Sequence, residues 1–93
     1  MIKSFGDRET ELLFNRERVK KYPPDLMQRA RNKLLLIHAA VDENDLIIPP
    51  GNHFEKLKGD KKGQYSIRIN DQGRVVFKWA EANAHDVTIT DYH

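Results

Sequence analysis

The spacing of apolar positions changes part-way along this chain of 93 residues. Leu26, Ala30, Leu34, Ile37 and Val41 recur at helical spacing, with Arg29, Arg31, Asn32 and Lys33 mostly on the other side, which predicts an amphipathic helix starting at Pro24 or Asp25. A first helix is expected upstream, with Asp7 suited to its N-cap, Glu9 and Glu11 near its start, Leu12 and Leu13 in its middle and its end at about Arg18. Tyr22-Pro23-Pro24 separates the two helices, because a residue before proline avoids the helical region. Ile2 to Phe5 alternates weakly and reads as a short strand. Between Asp42 and Asn52 the triple Pro49-Pro50-Gly51 predicts a loop with at most one helical turn.

From Phe54 the period falls to two. Phe54–Leu57, Tyr65–Ile69, Val75–Trp79 and Val87–Ile89 read as successive strands of an antiparallel meander. Asp71-Gln72-Gly73 fits a three-residue hairpin loop with Gly73 at the positive-φ position, so Asn70 should oppose Arg74, Ile69 Val75, Ile67 Phe77 and Tyr65 Trp79. The expected architecture is α+β, one compact domain over residues 1–93. It has a short N-terminal strand, then two helices packed on one face of a twisted, mainly antiparallel sheet of about four strands. The other face would carry Ser66, Arg68, Asn70, Arg74, Val76 and Lys78, joined by Thr88, Thr90 and Tyr92.

Composition narrows the function classes. At 39% hydrophobic and 32% charged, the chain is too apolar for disorder and too charged for a membrane protein. Its longest apolar runs, Leu34 to Ile37 and Leu46 to Ile48, fall far short of the roughly 20 residues of a membrane span. Met1-Ile2-Lys3-Ser4-Phe5 is no signal peptide, so a cytoplasmic location without membrane association is expected. The absence of cysteine excludes disulfides, thiolate catalysis and cysteine-bearing zinc sites, and the four histidines lack ligand spacing. Any chemistry is therefore expected to be metal-free and without a cofactor.

The net charge of +2 conceals an uneven distribution. Lys56, Lys58, Lys61, Lys62, Arg68, Arg74 and Lys78 crowd one stretch, against Asp60, Asp71 and the adjoining Glu55, as a phosphate-rich partner would require. Guanidinium groups bind phosphate bidentately and aromatic rings stack on bases, which makes RNA a fitting ligand. RNA cleavage without metal needs a base for the 2′-hydroxyl, cations for the phosphorane-like transition state and an acid for the leaving 5′ oxygen. Glu55, Lys58, Arg68, Arg74, Asp91, Tyr92 and His93 supply those groups. Plainer readings stand beside this one: a solvated charged face, a terminal His93 that is only a tail, a Tyr92 that caps the sheet and an Asp91 that pairs with Arg74. His38 reads as a half-buried structural residue, His53 as a loop residue and His85 as a turn residue, none with chemistry.

A set of ordered motifs carries a resemblance. They are Met1 to Phe5, Pro49-Pro50-Gly51-Asn52, Leu57-Lys58-Gly59-Asp60, Gly63 to Asn70, Arg74-Val75-Val76-Phe77 and the final Asp91-Tyr92-His93. Together they resemble the HigB branch of the RelE-type toxins, the plasmid maintenance killer proteins, including its GraT-like members. The resemblance implies a RelE-like fold and a ribosome-dependent mRNA interferase, an endoribonuclease that cuts mRNA in the A site of the 30S subunit. It also implies a helix-turn-helix antitoxin of the HigA type, with operator DNA reached only through that partner. Carried over, Lys58 and Arg74 would hold the scissile phosphate, Arg68 would assist, and Asp91, Tyr92 and His93 would form the catalytic cluster. Within that cluster His93 would titrate, Tyr92 position the base or ribose, and Asp91 orient His93. Lys20, Lys21, Lys56, Lys61 and Lys62 become candidates for ribosomal RNA contacts.

Two positions depart from the pattern. Some relatives have histidine where this chain has Glu55, and relatives commonly have an aromatic residue where it has Gly73. Both point toward reduced toxicity, and so toward a second possibility, an attenuated or non-catalytic module that binds RNA or antitoxin and serves mainly in operon autoregulation.

Overall fold

The computed structural model describes residues 1–91, the side chain of Asp91 excepted. Its helices are α1 (Arg8–Phe14), α2 (Pro24–Ala39) and the single turn α3 (Asn44–Ile47). Its strands are β1 (Glu55–Lys56), β2 (Gln64–Arg68), β3 (Gly73–Ala80) and β4 (Asn83–Asp91), ordered β1-β2-β3-β4 and antiparallel throughout. Short 3₁₀ turns at Pro50–Asn52 and Gly59–Lys61 flank β1.

Helix α1 stops four residues before Arg18. Arg16 turns left-handed at φ 66°, its N–H bonds to the Leu13 carbonyl and that of Glu17 to Leu12, a pair of bonds that closes a helix end. Asp7 holds the N-cap position without a capping bond, because its carboxylate accepts from the Thr88 hydroxyl at 3.0 Å. Arg31 reaches from α2 to the Leu13 carbonyl at 3.1 Å.

The core face of α2 is Ala30, Leu34 and Ile37, all buried. Val41 was expected on that face. The helix ends at Ala39, and Val41 lies beyond it, 70% exposed. Leu13 of α1, Leu46 of α3 and Ile67, Val75, Phe77 and Val87 of the sheet join Ala30, Leu34 and Ile37 in a single buried cluster. A row of rings from Phe54 through Tyr65 and Phe77 to Trp79, with centroids 5.5 to 6.4 Å apart, extends it across the strands.

Residues 2–5 form no strand of their own. Ile2 and Phe5 make isolated parallel bridges to Ala84 and Val87, and Lys3, Ser4 and Gly6 exchange backbone bonds with the outer edge of β4. On the same edge the Asp86 N–H donates to the Ser4 hydroxyl and the Ile89 N–H to the buried Thr10 hydroxyl. This edge is thus covered by earlier parts of the chain, which removes a template for aggregation.

Strand β4 begins earlier than the period-two pattern predicted, and His85 is a strand residue opposite Lys78 rather than a turn residue. The turn is Glu81-Ala82, both at positive φ (53° and 64°), the two-residue geometry whose twist suits a hairpin. Neither residue is the Gly or Asn that marks such turns in a sequence, so the signal was missing.

Candidate active site

The β2–β3 turn sets the geometry of the site. Asn70 Oδ1 accepts from the backbone N–H of Gln72 at 2.9 Å and of Gly73 at 2.7 Å, closing the turn with a side chain instead of a left-handed residue. Gly73 therefore joins β3 in ordinary extended conformation, and the expected positive φ there is not found. The register moves by two residues. Ile67 faces Val75, Tyr65 faces Phe77, and Arg68, not Asn70, stands directly opposite Arg74. A two-residue shift preserves which face each side chain occupies, so the core prediction survives while the partners change.

Two arginines opposed across a ladder repel, and each is held by a set of acceptors. Arg74, whose side chain is 12% exposed, donates from Nε to the Ser66 hydroxyl at 2.8 Å, from Nη2 to the Ser66 carbonyl at 3.3 Å and also to the His53 carbonyl. Its Nη1 lies 3.8 Å from Glu55 on β1. Ser66 is fully buried beneath it, so the face expected to be open and polar is partly closed by the arginine itself. Arg68 donates from Nε to the Asn70 carbonyl at 3.1 Å, pairs with the exposed Asp71, and brings Nη1 to 3.4 Å from His53 Nε2.

These groups line a cleft of about 410 Å³ bounded by His53, Glu55, Arg68, Asn70, Asp71, Gln72 and Arg74. Among the described residues, two guanidiniums face two carboxylates there. Both carboxylates are well exposed, and the open Arg68–Asp71 pair contributes little, so an incoming phosphate can displace Asp71 at small cost. Of the candidates named from sequence, the structure gathers Glu55, Arg68 and Arg74. Lys58 is exposed at the start of the Gly59–Lys61 turn and does not line the cleft. The side chain of Asp91, and all of Tyr92 and His93, lie outside the described residues; the Asp91 backbone pairs opposite Gly73.

The five lysines proposed for ribosomal RNA come from two parts of the chain, residues 20–21 and 56–62. Lys61 and Lys62 are exposed in the turn after β1. Lys56 lies 3.9 Å from Glu43, and Lys21, in the connection between α1 and α2, pairs with Glu9 at 2.8 Å and lies over the Tyr22 ring. Lys20 precedes it, exposed. Sequence reasoning missed His53 as a cleft residue, because its place there depends on a loop conformation that no pattern announces. Among the described residues no group of side chains is arranged to hold a metal ion, and no helix is long and apolar enough to cross a membrane.

Comparison with known proteins places this geometry. A family model described as the RelE-like toxin of the type II toxin-antitoxin system HigB matches residues 3–93. The chain belongs to the HigB-like toxin family. Toxin HigB-1 of Vibrio cholerae is 39% identical over 85 residues, 90% of each chain. Endoribonuclease HigB of Proteus vulgaris is 29% identical over the whole of both chains. Among solved structures, YafQ from E. coli superposes with a TM-score of 0.68 at 13% identity, covering 98% of this chain and 91% of its own. The YoeB-YefM complex from Staphylococcus aureus gives 0.65 at 18% identity, covering 100% and 98%. These likenesses establish the RelE-like α+β fold, and the family makes this HigB-like toxin one half of a toxin–antitoxin pair.

Proposed function

We propose that this HigB-like toxin, folded as one 93-residue domain, is a ribosome-dependent endoribonuclease. In this reading it cuts mRNA in the A site and inhibits translation. The observation that supports it best is the direct opposition of Arg68 and Arg74 in a cleft whose carboxylates are exposed. Sheet pairs of like charge cost stability, and two guanidiniums held side by side match the charge that develops on a phosphorus centre under 2′-hydroxyl attack. Arg74, oriented by Ser66 and the His53 carbonyl, contacts the scissile phosphate, and Arg68 releases Asp71 to contact a second oxygen. Lys58 approaches the phosphate from the edge of the sheet, and Asp91, Tyr92 and His93 contribute the acid.

A cleft this small has few groups to read bases or to bend a strand. The ribosome orders the mRNA, and Lys20, Lys21, Lys56, Lys61 and Lys62 hold the toxin on ribosomal RNA. Neutralisation is by an antitoxin of the helix-turn-helix HigA type, through which alone the pair reaches operator DNA, in the cytoplasm. The names of the Proteus vulgaris and Vibrio cholerae relatives support the endoribonuclease and toxin readings.

Primer extension on a defined mRNA, with and without programmed 70S ribosomes, tests the proposal. Cuts that appear only with ribosomes are expected; cuts on free RNA, or none in either tube, would sink it. One observation favours the attenuated alternative, the Glu55 carboxylate beside Arg74. If that carboxylate restrains the toxin, Glu55→Gln raises the cleavage rate.

A further inference from the structure

We propose that His53 is the general base of the cleft, removing the 2′-hydroxyl proton; this rests on the endoribonuclease reading above. His53 is held at φ 44°, ψ 56°, a left-handed conformation that non-glycine residues adopt at a cost and that the surroundings must enforce. The enforcing groups are visible. Asn52, fully buried, accepts from Lys33 Nζ at 2.6 Å and donates to the Leu46 carbonyl at 3.2 Å, pinning the turn to α2 and α3. The His53 N–H bonds to the Pro50 carbonyl, and its own carbonyl is held by Arg74.

The result is an imidazole at the cleft beside the Arg68 guanidinium, with the His53 backbone carbonyl on Arg74. An arginine can only donate, so the contact of Nη1 with His53 Nε2 at 3.4 Å requires that nitrogen to present its lone pair. The ring proton then sits on Nδ1, and the Nε2 lone pair comes free for the 2′-hydroxyl when Arg68 turns from it to the phosphate. Among the described residues, the charged groups around the ring are Arg68 on β2, Arg74 on β3, Glu55 on β1 and Asp71 in the turn, with Lys33 behind it through Asn52. Glu55 is the rival base, but it is an anion paired to Arg74 and would oppose the phosphate it had to serve. The neutral imidazole carries no such repulsion. Neither His38, which accepts from the Ile2 N–H, nor His85, opposite Lys78 in β4, lines the cleft.

In the step, Nε2 takes the 2′ proton as the O2′–P bond forms and the P–O5′ bond breaks. The leaving 5′ oxygen takes a proton from an acid or from water, leaving a 2′,3′-cyclic phosphate and a 5′-hydroxyl. The imidazolium returns its proton to solvent.

The test compares the wild-type toxin with His53→Asn on programmed ribosomes, because asparagine tolerates the left-handed backbone and keeps the carbonyl on Arg74 while it cannot take a proton. The expected result is a fall of about 10² to 10⁴-fold in kcat with KM nearly unchanged, the loss of the acid limb of the pH–rate profile, and an unaltered melting temperature. A raised KM at constant kcat would make His53 a binding contact and overturn the base role. Equal rates with the same pH profile would overturn it as well. If the wild type does not cut, the endoribonuclease reading falls and takes this proposal with it; if it cuts and His53→Asn matches it, only the proposal falls.

Discussion

Arg74 and Lys58 share a proposed partner, the scissile phosphate, but the structure gives them unlike energetics. Lys58 is an exposed side chain at the edge of the sheet, and its removal leaves the fold untouched. Arg74 covers a buried serine and satisfies its hydroxyl, so truncation strands polar atoms as well as removing a charge. Both Lys58→Ala and Arg74→Ala are expected to abolish cleavage. Only Arg74→Ala should also lower the unfolding free energy, by about 1–3 kcal/mol, readable as a melting temperature reduced by roughly 4–8 °C per kcal/mol. Equal melting curves for both variants would place Arg74 on the surface. From sequence the two residues look alike, because exposure of a charged side chain depends on what lies beneath it, and Ser66 was assigned to an open face.

The elements were legible to the extent that periodicity fixes them. The core stripe of α2, Val41 excepted, and the inward positions of β2 and β3 followed from spacing alone, and a two-residue error in pairing left their faces intact. Turns were less legible. Asn70 replaces a backbone turn with its own amide, and Glu81-Ala82 turns left-handed with residues that disfavour it. That second turn predicts its own improvement: Glu81→Asn with Ala82→Gly relieves the positive-φ cost and should stabilise the β3–β4 hairpin by about 1–2 kcal/mol in a denaturant titration. The link between α2 and the Asn52 turn gives a pH dependence. Desolvation lowers the pKa of the Lys33 ammonium, so it loses its proton in the folded state at a pH where the unfolded chain still holds one. Its contribution therefore becomes more favourable as pH rises through that alkaline window. Lys21, whose pKa is raised by its hydrogen bond to Glu9, contributes with the opposite sign. Lys33→Gln, which keeps a donor for Asn52, should remove the Lys33 gain and leave the Lys21 loss, seen as the difference between the two stability–pH curves.

For the whole molecule, 32 × 26 × 26 Å with a radius of gyration of 12.2 Å, charge placement and connectivity are what matter. Lys61 and Lys62 lie in a turn remote from the core, so replacing both with alanine should weaken ribosome association while the melting temperature holds. The slope of log affinity against log salt should shrink by roughly 0.7–0.9 per lysine. An unchanged slope would return those residues to plain solvated charge. Connectivity has a different consequence. Residues 2–6 dock on Ala84 and Val87, near the other end of the sequence, and the two termini of this arrangement are locked by the same few bonds. During synthesis the first residues must wait, undocked, until β4 has left the translating ribosome. Residues 2–6 are thus made before β4 and can take their place only after it.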